Sequence, residues 1–230
     1  RVFGMTPFGW RFAGALAGIL MLPGMYLLGK QLTKRTSLSA LICALMALDC
    51  MHLTQTQIAT IDSYPVLFII FAYFFMLRFM QTDIIRQKIS KSVIPLCLSG
   101  LFMRFAIASK WIGIYAGAGL AILFFWHFFR TVRIARESRE LNASGCLKDD
   151  KSLQPFVTAR YTCGGRVPVK LVNLCILCIV FFLIVPVVVY LISYIPYFAY
   201  DHHIKTLDDF LNAVWKAQVG MYDYHSTPGL

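Results

Sequence analysis

Residues 92–129 read SVIPLCLSGLFMRFAIASKWIGIYAGAGLAILFFWHFF, an almost unbroken apolar stretch that decides the fold class. A membrane-spanning helix needs about 20 mostly apolar residues, so this stretch is too long for one span. Its polar corner lies around Ser109 and Lys110. We therefore expect two spans, 92–108 and 111–129, which form a tight helical hairpin.

Further apolar stretches lie on both sides of this hairpin. The additional candidate spans are 10–29, 37–52, 63–80 and 171–195. The 230-residue chain is 58% hydrophobic and only 14% charged, with a mean hydropathy of +0.66, whereas a soluble domain carries about 25% charged residues. The sequence predicts an all-α, polytopic membrane protein with about six transmembrane helices and no separate soluble domain.

Basic residues are distributed unevenly between the connecting segments. The net charge is +11, and most of the 22 Lys and Arg residues follow the first, third and fifth spans, with the largest group in 130–170. Because basic residues collect in cytoplasmic loops, we expect 130–170 to be cytoplasmic and 52–62 to face outward. Membrane lipids, rather than nucleic acid, then account for the positive charge.

The tail 201–224 has a different pattern from the spans. Its apolar residues recur at helical spacing, which predicts an amphipathic helix on the outer membrane surface. These residues are Leu207, Phe210, Leu211, Val214, Trp215, Val219 and Met221.

Cysteine and histidine spacing does not predict a metal site. Cys175 and Cys178 lie inside an apolar stretch without a companion His or a second Cys pair, and the seven Cys residues are scattered. His202 and His203 are adjacent, and adjacent side chains diverge on a helix. We therefore expect no metal.

Charged side chains at the outer ends of spans are functional candidates, because charges within membranes are costly. Arg11 is either an interfacial residue whose guanidinium reaches the headgroups or a phosphate ligand with paired hydrogen bonds. Asp62 is either the N-cap of the next helix or a carboxylate at the mouth of a site. Lys110 and Trp111 are either an interfacial anchor or, through Lys110, a second cation for an anionic headgroup.

Two further positions carry weaker signals. Arg104 lies about two turns before the outer corner and should face protein or a water-filled cleft, with Asp49 as a possible partner. His225, beside Tyr224, is a site candidate from its position after the amphipathic tail. These residues suit an enzyme that acts on a phosphorylated membrane lipid, but they suit a non-catalytic transporter vestibule or a structural membrane subunit as well.

Three segments resemble a known family. They are TPFGWRFAGALAGILMLPGMYLLGKQL, ALDCMHLTQTQIATIDSYPVLFIIFAYFFM and LSGLFMRFAIASKWIGIYAGAGLAILFF. Together with the tail, they resemble the bacterial branch of the protein O-mannosyltransferases, phospholipid-carrier-dependent glycosyltransferases of family 39. The resemblance covers nearly every span but not 130–170. It implies a C-type glycosyltransferase (GT-C) fold, and it suggests that the chain is an internal piece of a longer protein.

The resemblance also implies a reaction. Mannose, or another hexose, would pass from a polyprenyl-phosphate carrier to Ser or Thr hydroxyls of an acceptor protein, with inversion, at the outer side of a bacterial plasma membrane. The partners would be the lipid-linked sugar donor, the acceptor protein and membrane lipids. No cofactor beyond the donor substrate is implied.

Site residues follow from the matching motifs. Arg11 matches the Gly-Trp-Arg arginine, which we assign to the carrier phosphate together with Lys110 of Ala-Ser-Lys-Trp. Trp111 completes that motif, and Asp62 matches the acid that ends the second outward loop. The family pattern places the acidic pair containing the general base before Arg1, so the catalytic base is unknown in this chain.

Tyr224 and His225 match the Tyr-His of the family's last segment covered here. Two positions depart from the pattern. Gln57 stands where the family usually has Arg, and Arg104 stands where it usually has Gly. Arg104 either replaces the lost cation in space or blocks a helix contact, and altered or lost activity remains an alternative interpretation.

Overall fold

The computed structural model describes residues 6–58, 60–82, 84, 89–143, 167–198 and 206–226. Within these residues every regular element is helical, which confirms the all-α prediction. The helices are α1 Pro7–Thr33, α2 Thr36–Leu48, α3 Cys50–Gln57, α4 Ser63–Met80, α5 Ile89–Ser109, α6 Gly113–Ala143, α7 Val167–Ile179, α8 Val185–Phe198 and α9 Leu207–Ser226, with a π-helical turn at Val180–Ile184. The chain forms two compact units, residues 1–183 and 184–230, which are described separately.

Five described helices are long and apolar enough to cross a membrane, which confirms a polytopic membrane protein. They are Pro7–Thr33, Ser63–Met80, Ser90–Ser109, Gly113–Ile134 and Val172–Pro196. A sixth crossing exists if α2 and α3, which are bent by 57° relative to each other, count as one broken span.

The hairpin of α5 and α6 turns within three residues, as the sequence predicts. The Lys110 amide donates to the Ala106 carbonyl, and the Gly113 amide donates to the Lys110 carbonyl, each at 3.0 Å. A Cβ on Gly113 would lie 2.8 Å from the Ile107 backbone nitrogen. Only a residue without a side chain fits this close return, so glycine at this position allows α6 to start against the end of α5.

Helix α1 meets its neighbours through small residues. An added Cβ on Gly24 would lie 3.1 Å from Ile70 of α4, and one on Gly29 would lie 3.1 Å from Ile42 of α2. Small residues let helix backbones approach closely in a membrane, where van der Waals packing drives association. The glycines of α1 therefore hold α2, α3 and α4 around one helix.

The second span differs from the prediction. The sequence predicts one helix over 37–52 and a loop over 52–62, but the chain breaks at Asp49 and continues as α3 to Gln57. The Asp49 carboxylate accepts hydrogen bonds from the amides of Met51 and His52, at 3.1 and 3.3 Å. These bonds cap a new helix in place of the interrupted one.

Aromatic and apolar side chains between α4, α5 and α6 form the main core of the first unit. Phe75 stacks on Phe102 with ring centroids 5.5 Å apart, and Phe79 stacks on Phe124 at 5.9 Å. The fully buried Ser99 hydroxyl donates to the Ala72 carbonyl at 2.9 Å. This core fixes the ends of α4, α5 and α6 relative to one another.

Helix α6 continues well beyond the expected end of the span, to Ala143. Arg133 and Glu137 form an ion pair one turn apart on its exposed surface. The helical start expected for the segment 130–170 is therefore present, and 144–166 lies outside the described residues.

In the second unit, α9 packs on α8. Gln218 Nε2 donates to the Tyr194 hydroxyl at 2.6 Å, and Val214 is buried. Leu207 and Trp215 remain 73% and 70% exposed. The apolar surface expected on this amphipathic helix is thus largely uncovered within the unit.

Candidate functional site

An open cleft of about 360 Å³ lies beside the beginning of α1. Its described lining consists of Trp10, Arg11, Thr54, Gln57 and Ile58. Helix α1 and the end of α3 therefore form its walls. Two residues singled out from the sequence, Arg11 and Gln57, lie together here.

The beginning of α1 is fixed by its cap. The Thr6 hydroxyl accepts a hydrogen bond from the Gly9 amide at 3.2 Å, and Pro7 occupies the first helical position, where its missing amide costs nothing. Arg11 follows in the second turn and is exposed. Within the described residues its guanidinium makes no hydrogen bond and no ion pair. A guanidinium carries five N–H donors, and no described side chain or carbonyl occupies those of Arg11.

Thr54 and Gln57 reach the cleft because α3 is a helix. Residues three apart lie on the same helix face, and both line the cleft opposite Arg11. Sequence reasoning missed Thr54, because a loop was expected there. The spacing of Thr54 and Gln57 was the available signal.

Helix α3 is pressed closely against α1. A Cβ on Gly18 would lie 2.6 Å from Thr56 Cγ2, and a Cβ on Gly14 would lie 3.0 Å from the Thr56 carbonyl oxygen. Thr56 is 7% exposed, and its hydroxyl donates to the His52 carbonyl at 2.8 Å. The Gly-x-x-x-Gly motif of α1 thereby positions the polar face of α3 next to Arg11.

Asp62 and Lys110 form an ion pair, with 2.5 Å between Oδ1 and Nζ. Both side chains are about half exposed, at 51% and 52%. Asp62 occupies the N-cap position of α4, but its side chain makes no capping hydrogen bond. The helix-cap interpretation is therefore wrong for the carboxylate, which instead ties the beginning of α4 to the α5–α6 corner.

This ion pair and the Arg11 cleft are two separate features at one end of the first unit. The Ser63 hydroxyl donates to the Gln55 carbonyl at 3.2 Å, which links the residue after Asp62 to α3. Neither Asp62 nor Lys110 is among the described residues that line the cleft. The charge of Lys110 is compensated by Asp62, whereas no described carboxylate compensates the charge of Arg11.

Two tryptophans lie near these groups in sequence and are well exposed. Trp10 is 57% and Trp111 is 50% exposed. Tryptophan is typical of the interface between membrane and water. Their positions agree with an interfacial depth for both the cleft and the ion pair.

Arg104 does not pair with Asp49, which is engaged as the cap of α3. Arg104 Nε is buried without a hydrogen-bond partner, and the guanidinium lies 5.8 Å from the centre of the Phe105 ring. Helix α5 packs on α4, α6 and α7, whereas α3, which carries Gln57, packs on α1 and α2. The packing thus gives no support for Arg104 as a replacement for the cation missing at Gln57.

Tyr224 and His225 lie in α9 of the second unit, and their side chains are outside the described residues. Within the described part of the chain, no group of three His, Cys, Asp or Glu side chains is arranged to hold a metal ion. Among the residues that the sequence singles out, the described structure thus brings Arg11 and Gln57 together in the cleft and pairs Asp62 with Lys110.

Comparisons with known proteins point to one family. The family model described as Dolichyl-phosphate-mannose-protein mannosyltransferase matches residues 1–200. The chain is 21% identical over 131 residues to Polyprenol-phosphate-mannose--protein mannosyltransferase of Mycobacterium tuberculosis (strain ATCC 25618 / H37Rv), a match that covers 50% of this chain and 25% of the relative. It is 30% identical over 115 residues to Dolichyl-phosphate-mannose--protein mannosyltransferase 4 of Saccharomyces cerevisiae, covering 49% of this chain and 15% of the relative.

These matches cover 25% and 15% of the lengths of the two curated relatives, so the chain corresponds to only part of either protein. No solved structure matches it. The family model nevertheless extends over most of the chain, including α1 to α6 and the cleft beside Arg11. The chain therefore belongs to the dolichyl-phosphate-mannose-protein mannosyltransferase family.

Proposed function

We propose that this protein transfers mannose, or another hexose, from a polyprenyl-phosphate carrier to Ser or Thr hydroxyls of proteins, with inversion at the sugar carbon. The reaction is proposed to occur at the outer side of a bacterial plasma membrane. Family membership supports the reaction class, and the names of the relatives support a lipid-phosphate mannose donor and a protein acceptor. The observation that supports this site is the guanidinium of Arg11 in an open cleft, where no described residue pairs with it.

In this proposal Arg11 binds the phosphate of the donor. When the bond between the sugar carbon and the phosphate oxygen breaks, the carrier phosphate leaves with an added negative charge. A guanidinium that donates paired hydrogen bonds stabilises this charge more in the transition state than in the bound donor. Gln57 contributes an uncharged amide donor to the cleft, whereas the Thr54 hydroxyl already donates to the Cys50 carbonyl at 2.7 Å and offers the ligand only an acceptor oxygen.

The acceptor hydroxyl must lose its proton as its oxygen attacks the sugar carbon. Asp62 is a poor candidate for this base, because its carboxylate is neutralised by Lys110. We propose that a carboxylate from the first outward loop of the family pattern performs this step. In this arrangement Lys110 forms an ion pair with Asp62. Lys110 can bind the carrier phosphate only after this ion pair breaks.

The test uses the complete gene product in isolated membranes, with a labelled polyprenyl-phosphate mannose and a Ser/Thr-containing acceptor peptide. Arg11→Ala should lower the rate of transfer by about 100-fold or more, as expected for loss of a transition-state charge donor. Arg11→Lys should give an intermediate rate, because an ammonium group keeps the charge but not the paired geometry.

Lys30→Ala is the matched control. Lys30 lies in the last turn of the same helix, 5.8 Å from the centre of the Tyr26 ring, and far along α1 from the cleft. This change should leave transfer unaltered. Equal rates for Arg11→Ala and the unmodified protein would remove Arg11 from the site, and no transfer by the unmodified protein with any lipid-phosphate hexose would contradict the reaction itself.

A further inference from the structure

A second cleft, of about 490 Å³, lies where α4 ends and α5 begins. Its described lining consists of Arg78, Gln81, Thr82, Lys91, Ile94 and Pro95. It is at the opposite end of α4 from Asp62, and so it is separate from the proposed reaction site.

Two cations face this cleft, and no described residue among its lining carries a compensating charge. Arg78 lies in the last turn of α4, Lys91 lies near the start of α5, and both are exposed. Within the described residues neither side chain makes an ion pair or a hydrogen bond. Two positive side chains that share a cleft repel each other mildly, and a bound anion would relieve this repulsion.

The local structure holds the two cations on facing elements. The Thr82 hydroxyl donates to the Phe79 carbonyl at 2.6 Å and lies 3.0 Å from the hydroxyl of Ser92, which is 1% exposed. These contacts join the end of α4 to the beginning of α5. The distance between the two helix ends is thus fixed by the contact of Thr82 with the buried Ser92, and not by the exposed side chains of Arg78 and Lys91.

The remaining lining indicates the kind of anion. Gln81 offers an uncharged amide, and Ile94, which is 60% exposed, offers an apolar surface next to Pro95. The cleft also lies at the ends of two helices that are long and apolar enough to span a membrane, and the ends of such helices meet the headgroup region. Basic pockets between such helix ends are typical binding sites for phosphate-bearing headgroups.

We propose that the cleft between Arg78 and Lys91 binds a phosphate group, supplied by the headgroup of an anionic lipid or by phosphate in solution. Arg78 donates paired hydrogen bonds to two phosphate oxygens, as a planar guanidinium does. Lys91 compensates the second part of the charge. With a lipid, the first methylenes of the acyl chains lie on Ile94.

The lipid source is tested with the full-length protein in phosphatidylcholine bilayers that contain spin-labelled phosphatidylglycerol or spin-labelled phosphatidylcholine. Electron paramagnetic resonance measures the fraction of label immobilised by the protein. The unmodified protein should prefer phosphatidylglycerol on the order of tenfold, since each nearby cation contributes to attraction of an anionic lipid. R78Q/K91Q should abolish most of this preference.

K30Q/R35Q is the matched control, because it removes two positive charges from the same end of the helices but not from the cleft. It should keep the preference. Phosphate in solution is tested by titration of inorganic phosphate into the protein in pure phosphatidylcholine nanodiscs. Free phosphate is an occupant if the unmodified protein and K30Q/R35Q bind it and R78Q/K91Q does not.

The proposal is overturned if the unmodified protein shows neither a preference for phosphatidylglycerol nor binding of inorganic phosphate, a result that requires no variant to fold. It is also overturned if both double variants lose the signal equally, because the attraction would then come from the general charge of this end of the protein.

Discussion

Gly18 shows how a single residue positions the candidate site. Its Cα faces Thr56, and an added Cβ would lie 2.6 Å from Thr56 Cγ2 and 2.8 Å from Thr56 Cβ. Both contacts are well inside van der Waals distance, and Thr56 has little space to move because it is buried. The absence of a side chain at Gly18 thus allows α3 to carry Thr54 and Gln57 to the cleft.

We predict that Gly18→Ala destabilises the protein by about 1–3 kcal/mol, the usual cost of overpacking, and separates α3 from Arg11. The thermal midpoint of the full-length protein in detergent is the measurement. Gly220→Ala is the matched control, because no heavy atom of the described residues lies within 4 Å of its added Cβ. That variant should be unchanged or slightly more stable, since alanine favours helix over glycine. Equal midpoints for the two variants would contradict the close contact.

The pairing of Asp62 with Lys110 shows what a residue pattern leaves open. Both residues are recognisable in the sequence as polar groups at the ends of spans, and in the structure Asp62 directly precedes α4 and Lys110 directly follows α5. Their ion pair joins positions separated by 48 residues, and no local spacing signals such a contact. The compensation of Lys110 by Asp62 therefore required the three-dimensional arrangement of α4 and α5.

Asp49 determines where α2 ends and α3 begins. Cys43 Sγ contacts the Leu22 carbonyl at 3.4 Å, and Thr56 packs on Gly18, so the break at Asp49 lies beside the middle part of α1. A carboxylate at such a depth is costly unless it is hydrogen-bonded. The amides of Met51 and His52 donate those hydrogen bonds. The same bonds give these two amides at the start of α3 the acceptor that the helix itself does not provide.

We predict that Asp49→Ala weakens α3 by about 0.5–2 kcal/mol, as loss of an N-cap does. Hydrogen exchange of the full-length protein should then become faster over residues 50–57 and stay unchanged in α4. Asp49→Asn is the control, because an amide oxygen can still accept from Met51 and His52. If alanine and asparagine gave the same exchange rates, the capping role of Asp49 would be wrong.

Hydropathy predicted the long elements well but not the broken one. The apolar stretch 63–80 coincides with α4, and the hairpin corner at Ser109 and Lys110 is where α5 gives way to α6. The stretch 37–52 predicts one continuous helix because Cys50 and Met51 keep it apolar across the break at Asp49. An Asp before a run of helix-forming residues is a known signal for the start of a helix. At Asp49 the continuous apolar pattern hides this signal, because no Gly or Pro marks the end of α2.

At the scale of the whole first unit, contacts show that the chain reverses direction from α1 to α2–α3, from α4 to α5 and from α5 to α6. Gly29 of α1 lies against Ser39 at the start of α2, while Gly18 lies against Thr56 near the end of α3. The bent pair therefore runs along much of α1 and does not return to the end from which it started. This favours a broken membrane crossing over a re-entrant loop.

We predict from these reversals, and from the position of the basic residues, that Lys34 lies on the cytoplasmic side and that Ile61 and Trp111 lie on the outer side. Alkaline phosphatase fused after Ile61 or after Trp111 in a bacterial host should be active, because it matures only outside the cytoplasm, and a fusion after Lys34 should be inactive. Green fluorescent protein at the same three positions is the control and should give the opposite pattern. Because α4 and α5 together return the chain to the side of Ile61, no activity at any of the three positions would mean that α2 and α3 form a re-entrant loop. Activity after Lys34 alone would invert the whole unit and place the Arg11 cleft in the cytoplasm.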